Sequence, residues 1–371
     1  MPTQQQIEFY RLKHQKFSTF KMKVSAFLGV VTNILTAPLE LVKVRSQLLQ
    51  EGRRLHGYGA ERGVPSVRIF YEIVDSGVGM KGLFTGYDSL LMRGLWGSSW
   101  RTYFWCYFYN QVNKDPRRAP HWSIGTIASF FGGFCAGVVT NPIDIVYNRQ
   151  AADALYPKGM SRNYSSFLHG LSSIHVEGAL FRGAIASGVS TGASLCSMSY
   201  IYDQFKELLY FWFGPTQWLR PLALIPTAYF GTAMYLPFDN CKVRLHTMRA
   251  LPNGEMPYNG LHDCFTKILK YECQLNKLSN IFAFHNGLSS AFTKMYISLL
   301  TGIYATDYVF QYNYKEGELW EGANVFYGPQ KGHIPHDPDN NYEFNISKMD
   351  DNLTPDRVMY LKAGTNTYVS K

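Results

Sequence analysis

Long apolar runs separated by polar connections occupy most of the chain, and a polar extension follows them. Each run is long enough, as a helix rising about 1.5 Å per residue, to cross the hydrocarbon core of a bilayer. We therefore predict six membrane-spanning helices. Their expected positions are 18–47, 87–109, 122–150, 183–206, 219–246 and 287–310.

Three shorter amphipathic stretches lie between the members of successive helix pairs, at 67–74, 164–176 and 258–268. Apolar residues on one face and polar residues on the other are typical of a helix lying against a larger apolar body. The residues after 310 contain no apolar run of membrane length. Their polar composition is typical of a disordered terminus.

One short motif recurs at the end of the first, third and fifth apolar runs. It consists of a proline, an acid two positions later, Lys or Tyr three positions after the acid, and Arg two positions further on. The copies begin at Pro38, Pro142 and Pro237, at intervals of 104 and 95 residues. Self-similarity at a long period indicates equivalent structural units. We predict three repeats, with each proline kinking its helix.

The acid of each copy shares a helix face with the residue three positions later. If the three helices surround an axis, acids and bases can pair between neighbours and close a ring. The alternative is three surface helix ends with an ordinary ion pair each. Charges beside membrane-length apolar runs tend to face a bundle interior or a water-filled path, which favours the ring.

Composition narrows the functional classes. Only 17% of residues are charged, 16% are aromatic and the mean hydropathy is −0.16, which fits helices with one lipid-facing and one wet side. The net charge of +9 suits anionic lipids or solutes, and no nucleic-acid-binding motif accompanies it. The six cysteines form no CxxC pair, so we expect neither a metal nor a disulfide framework. Without a nucleophile, catalytic dyad or phosphate loop, we expect no enzyme and no cofactor.

Between about 18 and 310 the chain resembles the mitochondrial carrier family, whose signature is P-x-[DE]-x-x-[KR]-x-[KR] in three copies. The resemblance implies an all-α membrane protein with six transmembrane helices in three pseudo-threefold repeats, each with a short matrix-side amphipathic helix. It implies the mitochondrial inner membrane, with both termini in the intermembrane space. The expected divisions are an N-terminal segment at 1–17, repeats at 18–115, 116–215 and 216–312, and an extension at 313–371.

The family closes a matrix-side ion-pair network between the acid of one odd-numbered helix and the base of the next. The pairs expected here are Asp144 with Lys242 and Asp239 with Lys43. Glu40 would instead face Tyr147, which offers only a hydrogen bond. The family's glutamine brace, four residues after the base, is matched by Gln47. Ala151 and His246 stand at the two other brace positions.

The cytoplasmic network of the family has the pattern [FY]-[DE]-x-x-[KR], and this chain departs further from it. The second repeat matches fully through Asp203 and Lys206, and the third retains Asp307 without its base. The first repeat has neither and is aromatic at this place. We expect the pair Lys206–Asp307 to form, with aromatic side chains of the first repeat closing the cytoplasmic mouth.

The family's substrate contact points lie seven residues after the glycine that opens each even-numbered helix. They fall on Arg93, Ser190 and Lys294, with Thr191 adjacent, and Arg101 two turns beyond Arg93 would extend the positive path. Two cations beside hydroxyl groups suit an anion. The alternatives are a structural ion pair for the cations and small-residue helix packing for the hydroxyls.

Two functions follow as hypotheses. The first is transport of a small anionic metabolite by alternating access. The second is a carrier-fold accessory subunit of an inner-membrane assembly, anchored through residues 311–371. A bound lipid such as cardiolipin would suit Arg182 and Gly183, where a helix begins with free N–H groups.

Overall fold

The computed structural model describes residues 4–56, 65–75, 79–112, 122–153, 155, 161–213, 219–250, 254–272, 284–314, 323–324 and 328–329. Within these ranges the side chains of 4–21, 50, 52–56, 110, 122, 199, 203, 207, 210, 271–272, 303–314, 323–324 and 328–329 are not described. The expected contacts of the extension at 313–371 with partner proteins therefore fall almost entirely outside the described residues and stay a prediction.

Long helices make up most of the described chain. One of them is divided, because α3 (Tyr87–Met92) passes through a π-helical turn at Arg93–Gly97 into α4 (Ser98–Val112). The other long helices are α1 (Gln4–His56), α5 (Trp122–Asp153), α7 (Ala184–Phe213), α8 (Leu219–Thr247) and α10 (Leu288–Tyr314).

Shorter elements connect the long helices. A 3₁₀ turn at Gly79–Phe84 precedes α3, and α9 continues into a π-helical turn at Ile268–Glu272. Strand β1 (Ala323–Asn324) pairs antiparallel with strand β2 (Gly328–Pro329), with Ala323 opposite Pro329. The short helices are α2 (Ser66–Asp75), α6 (Phe167–Val176) and α9 (Leu261–Lys267).

Helix boundaries differ from the sequence prediction mainly at the polar ends. Helix α1 begins at Gln4 and ends at His56, beyond the predicted 18–47, because polar helix-forming residues flank its apolar core. Helix α7 continues past Lys206 to Phe213. Helix α6 begins at Phe167 rather than at 164, because the Ser166 hydroxyl caps it by accepting from the His169 amide.

The long helices pack in chain order. Helix α1 contacts α4, α4 contacts α5, α5 contacts α7, α7 contacts α8, α8 contacts α10, and α10 contacts α1. The three helices that carry the repeated motif, α1, α5 and α8, also contact one another. The motif residues therefore lie on helices that approach each other inside the assembly.

Glycines permit the closest of these contacts. A Cβ atom on Gly133 would lie 2.7 Å from Gly192 Cα, and one on Gly137 would lie 2.5 Å from the Ser187 carbonyl oxygen. Such distances leave no room for a side chain, so α5 and α7 approach backbone to backbone. This packing places Ser187 beside the charged end of α5.

Large apolar side chains such as Phe27, Ile127 and Phe131 face outward on α1 and α5. Among the described residues, two segments combine the length and hydropathy needed to cross a membrane, Met22–Leu49 and Ser123–Asp153. The helical class predicted from the sequence is thus present. The four remaining spans stay a prediction.

Candidate functional site

The three copies of the repeated motif come together at the inner faces of α1, α5 and α8. Pro38, Pro142 and Pro237 each lie inside a helix, and the structure adds Pro226 in α8. The acids that follow the three motif prolines are buried. Buried charges require ionic partners, and each of these acids has at least one.

Two of the predicted pairs are formed. Lys242 Nζ lies 2.6 Å from Asp144 Oδ2, and Lys43 Nζ lies 3.0 Å from Asp239 Oδ2. The Gln47 amide donates to the same Asp239 oxygen at 3.1 Å, in the position expected for the brace. These contacts tie α5 to α8 and α8 to α1 through charges removed from water.

The partners of Glu40 differ from the single hydrogen bond that Tyr147 could offer. Both Glu40 oxygens are occupied by cations instead: Oε1 accepts from Lys43 Nζ at 3.1 Å and from Arg93 Nη1 at 2.7 Å, and Oε2 accepts from Lys294 Nζ at 2.7 Å. The physical reason is the depth of burial. A carboxylate that is 1% exposed is better stabilised by charged donors than by a single phenol.

Arg93 connects the first and second repeats. Its Nη1 reaches Glu40, its Nε lies 3.2 Å from Asp144 Oδ1, and its guanidinium carbon lies 5.5 Å from the centre of the Tyr147 ring. The residue opens the π-helical turn between α3 and α4, a feature that often marks functional positions. A guanidinium held between two carboxylates and an aromatic ring occupies the place that a base at position 147 would fill.

The network carries an excess of positive charge. Its three acids are Glu40, Asp144 and Asp239, and its four bases are Lys43, Arg93, Lys242 and Lys294, which leaves one positive charge. The Arg93 and Lys294 side chains are 20% and 17% exposed, whereas the three acids are 8% exposed or less. The cations that reach solvent-accessible space are thus Arg93 and Lys294, in a network with one surplus positive charge.

Arg101 adds a further cation on α4, eight residues after Arg93. Its Nε is buried and has no hydrogen-bond partner among the described residues. Buried polar groups normally have partners, so an orphaned guanidinium nitrogen is a candidate contact for a ligand. Helix geometry places it about 12 Å from Arg93 along the axis.

The hydroxyl groups predicted as solute contacts belong to Ser190 and Thr191 in α7. Ser190 is buried, and the Thr191 carbonyl oxygen lies at the close crossing with Gly133. The hydroxyl that reaches the charged network belongs instead to Ser187, which donates to Asp144 Oδ2 at 3.4 Å. Sequence reasoning missed Ser187, although it lies one helical turn before Ser190 on the same face.

A neutral polar cluster lies beside the network, at the brace position of the third repeat. His246 Nδ1 lies 2.9 Å from Asn148 Nδ2, and its Nε2 lies 3.0 Å from Asn141 Oδ1. The amide nitrogen of Asn148 can only donate, so the imidazole accepts at Nδ1 and donates at Nε2. This neutral imidazole links α5 and α8 where the first repeat uses Gln47.

The cytoplasmic pair cannot be followed, because the side chains of Asp203 and Asp307 lie outside the described residues. The Lys206 ammonium lies 5.9 Å from the centre of the Tyr202 ring. The pairing of Lys206 with Asp307 stays a prediction.

The predicted lipid-binding residues, Arg182 and Gly183, lie directly before the first residue of α7. Gly183 has a φ of +72°, and the Arg182 carbonyl accepts from Asn141. Partial burial and, to a smaller extent, the neighbouring Arg149 lower the pKa of Arg182. A bound anion would offset both effects.

Known proteins resemble this chain over most of its length. Residues 16–113 match the family model described as mitochondrial carrier protein. The chain is 41% identical to the macronuclear solute carrier homolog CR-MSC of Oxytricha trifallax over 91% of each chain, and equally to that of Oxytricha fallax. It is 24% identical to the human mitochondrial 2-oxoglutarate/malate carrier protein, over 68% of this chain and 80% of that protein. The chain therefore belongs to the mitochondrial carrier family.

Proposed function

We propose that the protein transports a small carboxylate anion across the mitochondrial inner membrane by alternating access. One observation carries the proposal: Arg93 and Lys294, at the two cationic contact points, each hold an oxygen of the Glu40 carboxylate at 2.7 Å. Both cations border an accessible space, and their network has one positive charge in excess. Ionisable residues in a membrane interior mark a functional site by default, and Arg and Lys side chains suit a carboxylate.

The proposed architecture has six membrane-spanning helices in three repeats. The cyclic order of contacts among the long helices and the three copies of the motif support it. In this arrangement the short helices α2, α6 and α9 face the matrix and both termini face the intermembrane space. The charged network then closes the matrix side of the central path.

The proposed cycle uses the two networks in turn. When the matrix network is closed, as in the structure, the solute enters from the intermembrane space and meets Arg93, Lys294 and Arg101. Breaking the pairs Asp144–Lys242 and Asp239–Lys43 would open the matrix side, while Lys206 and Asp307 would close the opposite side. Ser190 and Thr191, in α7, would line the third wall of this path and offer hydroxyl groups to the solute.

Dicarboxylates are the first solutes to test. The human relative is named for 2-oxoglutarate and malate, both of which carry two carboxylates. The chain offers cations at two levels, Arg93 with Lys294 and then Arg101 about 12 Å further along the helix. Long arginine side chains can converge across that distance on a molecule of five carbons.

The experiment is exchange in proteoliposomes. Purified protein is reconstituted with internal malate, and uptake of labelled 2-oxoglutarate, malate, phosphate and a neutral amino acid is measured. We expect exchange of dicarboxylates and its loss in Arg93→Ala. The matched control is Arg68→Ala, which removes an arginine from the exposed pair with Glu72 and should leave exchange unchanged.

Failure of every anion in the panel, or full activity of Arg93→Ala, would overturn the proposed function. Exchange of phosphate in place of the dicarboxylates would overturn the substrate class alone. A lipid phosphate at Arg182 and Gly183 is a further part of the proposal. It is tested by stabilisation of the protein with cardiolipin and by its loss in Arg182→Ala.

The accessory-subunit alternative receives no support from the names of the relatives. The Oxytricha trifallax protein aligns over 339 of the 371 residues, which leaves 32 outside the match. The extension at 313–371 is longer than that, so part of it is shared with a relative named as a solute carrier. The extension is therefore compatible with a carrier, and transport is the one function proposed.

A further inference from the structure

Position 147 breaks the symmetry of the matrix network. The first and third repeats place Lys43 and Lys242 at the base position of the motif, and the second repeat places Tyr147 there. The three copies of the motif therefore supply three acids but only two bases. Asp144 and Asp239 take them, and Glu40 is left without a base from the neighbouring repeat.

Glu40 obtains its interhelical partners from the proposed substrate site. Its Oε1 accepts from Arg93 Nη1 and its Oε2 accepts from Lys294 Nζ, both at 2.7 Å. The two cations come from the even-numbered helices of the first and third repeats and meet on a single carboxylate. The arrangement is that of a carboxylate ligand held by an Arg and a Lys, with a side chain of the protein as the ligand.

We propose that Glu40 is an internal competitor for the transported carboxylate: it occupies Arg93 and Lys294 while the matrix side is closed, and the solute must displace it. The inference rests on the proposed function and assigns to Glu40 the coupling between solute binding and matrix-side opening. Both cations are partly exposed, whereas Glu40 is 1% exposed, so the solute reaches the cations from the side opposite to Glu40.

Displacement weakens the closed network directly. Arg93 bridges Glu40 on α1 and Asp144 on α5, and Lys294 bridges Glu40 and α10. A solute carboxylate that takes both cations removes the ties from α1 to the π-helical turn at Arg93–Gly97 and from α1 to α10. Among the described residues, Glu40 would then keep one cation, Lys43, on its own helix. Such a carrier opens toward the matrix mainly when an anion is bound.

Tyr147 makes this sharing possible. Its ring lies against the Arg93 guanidinium, so the arginine stays positioned between the two carboxylates without a competing ammonium. A base at the same position would neutralise Glu40 and release the substrate cations. The substitution of a base by tyrosine is thus the feature that makes solute and network compete.

Competition lowers the apparent affinity for the solute by the fraction of molecules in which the cations are free. If Glu40 occupies them in about 90% of molecules, its removal increases apparent affinity about tenfold. Glu40→Gln removes the competing charge while keeping the size of the side chain. The readout is the dissociation constant of 2-oxoglutarate with purified protein, measured by titration, together with its half-saturating concentration in exchange.

Asp239→Asn is the matched control. It also removes one negative charge and one interhelical tie of the same network, but Asp239 contacts Lys43 and Gln47 and neither substrate cation. Both variants should increase solute leak without a counter-solute. Only Glu40→Gln should lower the dissociation constant, about tenfold, with Asp239→Asn within about twofold of wild type.

Tyr147→Lys provides a second variant that strengthens the network instead of weakening it. The new ammonium should pair with Glu40, reduce leak and again lower the dissociation constant, because Arg93 and Lys294 are released. An increase in affinity from two variants with opposite effects on leak is expected only when Glu40 competes for the cations. This variant also decides the question if Glu40→Gln fails to fold.

Equal dissociation constants for Glu40→Gln and Asp239→Asn would overturn the inference while leaving the proposed function intact. Unchanged or weaker binding by Tyr147→Lys would do the same. A different outcome would overturn the proposed function and the inference with it. In that outcome the wild-type protein neither binds nor exchanges 2-oxoglutarate, and it exchanges no other carboxylate.

Discussion

Removing the ammonium of Lys242 tests whether the buried network holds the helices together. Lys242 Nζ lies 2.6 Å from Asp144 Oδ2, and the two side chains are 7% and 6% exposed. Loss of one partner from a buried ion pair costs about 3–5 kcal/mol, because the other charge stays buried. Asp144 keeps Arg93 at 3.2 Å, so we expect the lower end of that range for Lys242→Met.

The assay is thermal unfolding of the purified protein in detergent. At about 2–4 °C per kcal/mol, a cost of about 3 kcal/mol lowers the midpoint by about 6–12 °C. Arg68→Met is the control, because its pair with Glu72 is formed by side chains that are 70% and 54% exposed. Exposed pairs contribute about 0–1 kcal/mol, so this variant should stay close to wild type.

A double variant separates the charge effect from lost packing. Adding Asp144→Asn to Lys242→Met removes the stranded carboxylate, so the pair of changes should cost less than the sum of the single changes. If Lys242→Met lowers the midpoint no more than Arg68→Met, the network does not stabilise the closed helices. A matrix-side closure by this network would then have no energetic basis.

Three further predictions concern local geometry. Gly287→Ala should lower the unfolding midpoint more than Gly178→Ala, because both glycines have positive φ but only the first Cβ would overlap a neighbouring side chain; equal losses would assign the cost to backbone strain alone. Gly137→Ala should lower the free energy of unfolding by about 1–3 kcal/mol, because the added methyl group forces α5 away from α7. Gly97→Ala should be neutral or stabilising in the same assay, because the atoms nearest to its added Cβ lie at 3.9 Å. Arg101→Gln should weaken 2-oxoglutarate binding about tenfold without lowering the midpoint, since its Nε has no hydrogen-bond partner among the described residues; a large loss of stability would indicate a structural role instead.

The repeated motif allowed the sequence to predict two ion pairs across helices. Asp144 with Lys242 and Asp239 with Lys43 follow from equivalent positions in equivalent repeats, a relation that survives without knowledge of distances. The helices themselves follow from apolar length and periodicity. Their ends do not, because polar residues with good helix propensity extend α1 past its apolar run, and α7 continues past Lys206 through an aromatic-rich segment to Phe213.

The environment of Glu40 could not be obtained in this way. Lys294 is 254 residues away from it, and whether its ammonium reaches the carboxylate depends on how closely α1 and α10 pack. Arg93 was predicted as a substrate contact, and its second role as the bridge to Asp144 depends on the π-helical turn at its position. A departure from the motif, Tyr147, was the one sequence signal that an unusual partner for Glu40 was needed.

The most direct test of the account is titration of the purified protein with 2-oxoglutarate, comparing wild type with Lys294→Gln and Arg68→Gln. We expect saturable binding by wild type and by Arg68→Gln. The dissociation constant should be at least about tenfold higher for Lys294→Gln, because one of the two cations that hold the carboxylate is lost. Binding by Lys294→Gln with the wild-type dissociation constant would contradict it.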